Sequence, residues 1–514
     1  MKTKPNIITV FIILSIIVVA NNLFLKSEKV NEHKITFLLN AIKENYVDSI
    51  DMNSLVESSI EQTLKNLDPH SIYMNKNQVQ SSMEMMQGSF EGIGVEFSIQ
   101  KDTIVIMNVI PNGPSDKVGL MAGARIVSIE GENVAGIGIT NEDVIKKLRG
   151  ERGTTVVIDI QSKCQKNSKN VKIIRDEIPL NSLDVSYEIE PNIGYIKLNR
   201  FSETTFHEFK NELETLLRES QIHGLILDLR GNSGGYLDQA VKILNEFFEK
   251  DKLLVFTKGQ FRPEYKYFSN KEGCYKKGDV CVLIDESSAS ASEIIAGAIQ
   301  DHNRGLIVGG RSFGKGLVQE QITLNDGSLI RLTVARYYTP SGRCIQKPYS
   351  QETEDEYYYG SIKSIDSLQS FSTKNGTIVY GGGGIEPDHN IEQEHEQLSP
   401  GLIYLYSSDF LNDLVFEFVD ANREILQKKD FSEWEMSTNE KNLIHIKIMD
   451  WIKAELSDDP EIISQISQNT EKINNRIHAL IIRQFWGWEE MQMFLNETDQ
   501  IVISSVSLLK QNKN

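Results

Sequence analysis

The sequence predicts a multidomain protein of α/β (α+β) class, with a layered α/β centre flanked by helical regions at both ends. Three observations carry this. Between residues 193 and 308, short apolar runs alternate with amphipathic helical segments, the pattern of strands and helices packed in layers. Apolar residues recur at helical spacing near both termini. The chain has 514 residues, and at roughly 100–200 residues per domain this gives about three to five domains.

Composition narrows the function classes. The chain is 40% hydrophobic and 25% charged, with 54 Lys+Arg against 72 Asp+Glu and a formal charge of −18. The apolar share fills globular cores and excludes a wholly disordered chain. An acidic chain without a Lys/Arg block repels phosphate backbones, so nucleic acid is not the expected partner.

Residues 1–25 read as a signal peptide or membrane anchor. Lys2 and Lys4 precede an apolar run from Ile7 to Ala20. Val18-x-Ala20 suits a small-residue cleavage site. Uncleaved, Asn6 to Leu25 reaches the roughly 20 residues of an anchor only by including Asn21 and Asn22. Either way the rest of the chain is expected to be exported, to the periplasm or cell envelope, secreted or membrane-anchored. If the segment is retained, the membrane is a partner.

Residues 30–87 read as an N-terminal helical region. Phe37, Leu38, Ala41, Ile42 and Tyr46 fall at helical spacing, and Leu55, Ile60, Leu64 and Leu67 form a second segment that Asp68-Pro69 ends. Gln78 to Gln87 is a third, whose Met83, Met85 and Met86 read as core or interface filler. Self-association into a homo-oligomer is one use the sequence allows for this region.

Residues 88–178 contain Phe90-Glu91-Gly92-Ile93-Gly94-Val95, an alternating strand at Ile104 to Ile106, Ala122-Gly123-Ala124, a strand and turn at Ile126 to Gly131, a helix at Asn141 to Leu148 and a strand at Val156 to Ile160. The stretch resembles a PDZ domain, with Ala124 where that family usually has Asp. Backbone N–H groups of Gly92, Ile93, Gly94 and Val95 converging in one loop would bind a peptide's terminal carboxylate, and an exposed strand edge would pair with the peptide. Alone, the glycines would equally make a turn.

Residues 179–390 carry the chemistry. Strands are predicted at Ile193–Leu198, Leu225–Arg230, Val280–Ile284 and Leu306–Val308, with helices at Glu203–Arg218, Leu237–Phe248 and from Ala291 to Gln300. Asn325-Asp326-Gly327 is a hairpin turn. Ser290 stands at the amino end of a helix, where backbone N–H groups are unpaired and carry partial positive charge. An oxyanion formed by its attack on a carbonyl would meet the Ala291 N–H, and the Gly234-Gly235 turn allows a second donor to approach. One such donor stabilises a transition state by about 3–4 kcal/mol.

Serine needs a base. Lys315 lies 25 residues on, between two glycines. A free lysine titrates near 10.4, and bringing it to about 7–8 by burial costs on the order of 3–5 kcal/mol. Gln319 could orient the amine as a third member. Taken singly, Ser290-x-x-Glu293 is a helix-capping box and Lys315 a surface lysine. His207, His223 and His302 lack a motif and are weaker base candidates.

The order and spacing of these pieces are more specific. Asp228-Leu229-Arg230-Gly231-Asn232, Ser288-Ala289-Ser290-Ala291-Ser292-Glu293, Phe313-Gly314-Lys315-Gly316 and Gln319, together with the PDZ-like module, resemble the carboxy-terminal processing peptidases, or tail-specific proteases. The resemblance implies a crotonase-like catalytic domain with an inserted PDZ domain, and a serine endopeptidase acting at or near the C-terminal tails of protein substrates. It puts the nucleophile at Ser290, the general base at Lys315 and its partner at Gln319, with no metal and no cofactor. Ser233 stands where the family usually has Pro, and Gly310 where Glu is usual. The alternative is a catalytically silent PDZ-type peptide-binding scaffold.

Glu352 to Tyr359 reads as a solvated, acidic and tyrosine-rich loop. Residues 391–514 read as a C-terminal helical extension in which Trp486 and Trp488 pack. Of Cys164, Cys274, Cys281 and Cys344, the pair 274 and 281 could bridge in an oxidising compartment; otherwise all four are unpaired thiols.

Overall fold

A computed structural model describes residues 33–161, 168–349, 354–359, 369–391, 398–456 and 459–511. The N-terminal apolar run and Cys164 lie outside these residues. No helix among the described residues is long and apolar enough to cross a membrane. The chain divides into two compact units, one of residues 1–74 with 321–332 and one of residues 75–320 with 333–514.

In the first unit, helices span 33–45 and Met52–Lys65. The Asp51 side chain caps the second by accepting from the Asn53 and Ser54 N–H groups. The Ile72–Met74 strand then pairs antiparallel with Leu329–Arg331.

The second unit begins with the Lys76–Gln87 helix, fixed by a capping box between Asn75 and Gln78. Met83 and Met85 are about half exposed, so neither is core within the chain. A sheet follows, in the order Val95–Gln100, Thr103–Val109, Arg125–Ile129, Thr155–Gln161 and Lys169–Ile174, with the Asn141–Leu148 helix against it. Its alternating Ile104, Ile106, Ile126, Val156 and Ile158 are fully buried, as period-2 patterning requires. The Ser89–Gly92 and Asp176–Pro179 strands, where the chain enters and leaves this module, pair with each other.

The central sheet runs Leu183–Glu190, Ile193–Leu198, Gly224–Asp228, Asp279–Ile284, Leu306–Gly309 and His389–Asn390; the first pair is antiparallel and the rest parallel. Parallel strands need cover on both faces, and the side chains divide accordingly. Leu225, Leu227 and Val282 pack with Phe209, Leu213, Ile243 and Ile295 from the crossover helices. Ile226, Cys281 and Leu283 pack with Ile501, Val502 and Leu509 of the Gln500–Gln511 helix, so the last helix of the chain covers the back of the sheet.

Among the described residues, six further α-helices and a short 3-10 helix between Pro400 and Asn496 form a layer with its own core, including Leu414, Val415, Ile448, Ile477 and Ile481. Trp486 packs there against Trp434, with ring centroids 5.5 Å apart. One expectation is corrected. Residues 354–359 are helical, not a loop, and Tyr357 is 1% exposed with its ring edge-on to Phe313; an acidic run hid one buried aromatic anchor. Of the two cysteine readings, the unpaired one holds among the described residues: Cys274, Cys281 and Cys344 are free thiols, with Cys281 inside the central sheet and Cys274 exposed.

Candidate active site

The Gly224–Asp228 and Asp279–Ile284 strands are parallel neighbours, so the loops leaving their carboxyl ends lie side by side, where α/β sheets place their sites. The first loop carries Asn232, Gly234 and Gly235; the second carries Ser288 to Ser290. Hydrogen bonds tie them together. Ala289 N–H and Ser292 Oγ both donate to the Asn232 carbonyl, at 3.0 and 2.9 Å, and Ser288 Oγ donates to the Leu229 carbonyl at 2.8 Å.

Ser290 is half-buried and has φ +55° and ψ −110°. For a residue with a side chain this backbone costs on the order of 1–3 kcal/mol and persists only where the surroundings hold it. The sharp turn sets Ser290 immediately before the Ala291–Asp301 helix, all of whose residues are buried. Gly234 explains how the other loop comes so near. A Cβ on it would stand 2.7 Å from Ser290 Cβ and 3.0 Å from Ala291 N, so only glycine permits this approach. The Gly234 N–H, however, donates to Asn232 Oδ1 at 2.9 Å. It is therefore engaged within its own loop, and the expectation of Gly234 as an oxyanion donor is corrected.

Glu293 is fully buried and ties the serine turn to the Phe313–Gly316 loop. Its Oε2 accepts from Ser290 N–H and from Lys315 N–H, each at 2.8 Å. Its Oε1 accepts from Gly314 N–H at 2.7 Å and Ser312 Oγ at 2.6 Å. Burial pushes its carboxyl up to about 6, with the four donors opposing the shift. The Tyr337 hydroxyl, on the Leu329–Tyr338 strand, lies 3.0 Å from the Ser290 carbonyl and 2.7 Å from that of Lys315. Lys315 is half-buried. Gln319 is four residues along the following strand, with its Nε2 3.4 Å from Thr333 Oγ1. Sequence reasoning read Glu293 only as a cap and did not single out Tyr337, whose place depends on a strand returning from the hairpin.

Below the site, Asp228 accepts from Arg230 Nη2 at 2.6 Å and from the Tyr195 hydroxyl at 2.6 Å. Burial alone would raise the Asp228 carboxyl, but the adjoining guanidinium prevails and holds it at about 2. His302 donates to the Leu253 carbonyl at 2.6 Å and so braces the far end of the helix. No cluster of His, Cys, Asp and Glu that could hold a metal occurs among the described residues.

A second site lies along the Val95–Gln100 strand, which is the edge of its sheet. A cavity of about 500 Å³ is lined there by Gly92, Ile93, Gly94 and Val95 and by Ile145 and Leu148 of the facing helix. The Ile93 carbonyl accepts from Ser115 Oγ at 2.6 Å, and the Gly94 carbonyl from Ile110 N–H at 3.1 Å. Peptide planes are trans, so the Gly94 and Val95 N–H groups point away from those partners.

A family model described as Peptidase family S41 matches residues 192–355, a PDZ domain model residues 105–162 and a model of the activating protease CtpB N-terminal domain residues 19–78. Residues 402–487 match a family of unknown function. The carboxy-terminal-processing protease of Bartonella bacilliformis is 35% identical over 345 residues, 66% of this chain and 78% of that one. The carboxy-terminal processing protease CtpB of Bacillus subtilis is 36% identical over 318 residues, 61% of this chain and 65% of that one. A probable CtpA-like serine protease of Staphylococcus haemolyticus is 33% identical over 356 residues, 68% of this chain and 70% of that one.

Proposed function

Because the chain belongs to the carboxy-terminal processing serine proteases of peptidase family S41, we propose that Ser290 is its nucleophile and Lys315 the general base. The observation that carries this is the shared anchoring of the two residues, whose N–H groups both end on Glu293 Oε2. In the acylation step, Ser290 Oγ attacks the scissile carbonyl carbon while Lys315 Nζ takes the hydroxyl proton. The negative charge on the carbonyl oxygen is met by the Ala291 and Gly235 N–H groups. The intermediate collapses, the C–N bond breaks, and the leaving amine takes the proton from Lys315. Water then attacks the acyl ester while Lys315 accepts its proton; the C–O bond to Ser290 breaks, Ser290 Oγ takes the proton back from Lys315, and the product leaves with a new carboxylate. Gln319 orients the lysine from the adjoining strand.

The PDZ module binds the substrate's C-terminal tail, its terminal carboxylate at the Gly92–Val95 loop and its backbone along the Val95–Gln100 edge. The apolar run near the amino terminus supports export and retention at the cell envelope.

The test is cleavage of an unstructured protein substrate by the full chain and by Ser290→Ala and Lys315→Ala. Both variants are expected to lose at least about 10⁴-fold in kcat while remaining folded. Wild-type turnover by either folded variant would overturn the assignment.

A further inference from the structure

The tail groove has a second wall that the PDZ module does not supply. Asn412 and Val415 of the Phe410–Leu426 helix, and Leu480, Arg483 and Gln484 of the Thr470–Phe485 helix, line the same cavity as Gly94 and Ile145. This helical layer is fastened to the module's rim. Arg125 Nη2 pairs with Asp420 at 2.9 Å, its guanidinium lies over the Phe416 ring at 5.6 Å, and Lys101 pairs with Glu417 at 2.9 Å. The wall does not fill the groove, since about 500 Å³ remains open, within the range of a ligand pocket.

One side chain on that wall carries unused recognition chemistry. Arg483 is exposed, stacks on Trp488 at 4.8 Å, and makes no ion pair among the described residues. Val415 and Leu480 set an apolar surface in the same wall. A strand added to the Val95–Gln100 edge projects side chains alternately to its two faces, and a module alone would read chiefly the face toward Ile145 and Leu148.

We propose that the C-terminal helical layer is part of the tail-binding site: Arg483 selects an acidic side chain upstream of the tail's last residue. This rests on the reading of the groove as the tail site. It makes the layer a specificity-determining element for the protease, absent from the PDZ module itself.

The test uses the full chain carrying Ser290→Ala, so that bound peptides survive. The probe is an array of decapeptides with a free C-terminal carboxylate, in which each of the last five positions is set in turn to Asp, Lys, Ala or Leu. A matched array ends in an amide. Carboxylate-dependent binding is expected, with Asp favoured over Lys at one upstream position by about threefold to fivefold. Added Arg483→Glu inverts that preference and Arg483→Gln flattens it, while the choice at the last residue stays unchanged. Carboxylate-dependent binding whose position profile is the same in wild type and both Arg483 variants overturns this inference and leaves the tail groove standing. Equal binding of the acid and amide arrays, or binding of neither, overturns the tail-groove reading and this inference with it.

Discussion

Ser290 and Lys315 are joined twice through their backbones: their N–H groups share the Glu293 Oε2 acceptor at 2.8 Å each, and their carbonyls share the Tyr337 hydroxyl at 3.0 and 2.7 Å. A flexible lysine side chain can be a reproducible base only if its Cα is fixed relative to the nucleophile. The two shared partners supply that fixing from opposite sides of the peptide chain. The strained φ of Ser290 is compatible with this, since the bonds over-determine the turn.

Replacing Glu293 by Gln removes both a charge and half of the acceptor set. The amide must turn its NH₂ toward either the Ser290 and Lys315 N–H groups or the Gly314 N–H and Ser312 hydroxyl. Buried donors left without an acceptor cost about 1–3 kcal/mol each, so kcat/KM at pH 8 is expected to fall at least about tenfold. The carboxyl is raised in the folded chain from 4.5 to about 6. Its contribution to stability is therefore full below about 4.5 and is lost as pH rises through about 6, roughly 2 kcal/mol in all. Urea unfolding between pH 4 and 7 should show this decline in wild type and not in the variant. An identical slope in both would assign the titration elsewhere.

Tyr337→Phe keeps the ring and deletes only the hydroxyl. Two carbonyls lose their common donor, and the serine turn is no longer tied to the lysine loop on that side. The expected result is a drop in kcat of about tenfold with KM little changed, and a stability loss of about 1–2 kcal/mol. Steady-state kinetics paired with thermal unfolding separate the two effects. A lowered Tm with unaltered kcat would make the hydroxyl a purely structural group.

The sequence made much of this legible, for local reasons. The strands of the central sheet are short apolar runs bounded by loop residues, and the Asn141–Leu148 helix has the bounds expected of it. Ser290 and Lys315 sat in glycine- and serine-rich motifs whose order was informative. What escaped depends on long-range closure. Tyr337 is 47 residues from Ser290, and nothing near it announces a role. The Gly234 N–H looked available because the competing Asn232 amide oxygen becomes visible only once the loop is folded. The roof over the peptide groove needed residues 412–484 brought against residues 92–149, which no local pattern encodes.

Two glycines in one loop make a matched pair. Gly234→Ala would drive a methyl to 2.7 Å from both Ser290 Cβ and the Ala289 carbonyl, at φ +101°. The Ser290 turn must move, and activity should be nearly abolished. Gly231 also has positive φ, +73°, but a Cβ there meets nothing within 4 Å. Gly231→Ala should cost about 1 kcal/mol of stability and retain close to full kcat. Equal activity in the two variants would show that the approach of Gly234 to Ser290 is not required.

The tyrosine-rich helix at 354–359 supports the lysine loop from outside. Gln346 connects them: its Nε2 donates to the Tyr357 hydroxyl at 3.1 Å, and its Oε1 accepts from Gly316 N–H at 2.8 Å. The Tyr357 ring packs edge-on against Phe313 at 5.7 Å, and the Lys347 ammonium lies 3.7 Å over the Phe313 ring and 4.7 Å from that of Tyr357. Phe313 and Gly316 bracket Lys315, so this cluster holds both ends of the segment that presents the amine. Tyr357→Phe deletes one hydrogen bond and leaves the ring contacts, and should lower kcat no more than about threefold. Tyr357→Ala removes the ring as well, opening a cavity worth about 3 kcal/mol or more, and should lower kcat at least about tenfold with binding of C-terminal tails unaltered. Tail affinity measured on the Ser290→Ala background isolates the second site from the first. A fall in tail affinity as large as the fall in kcat would mean that the aromatic cluster supports the whole unit and not the lysine loop in particular.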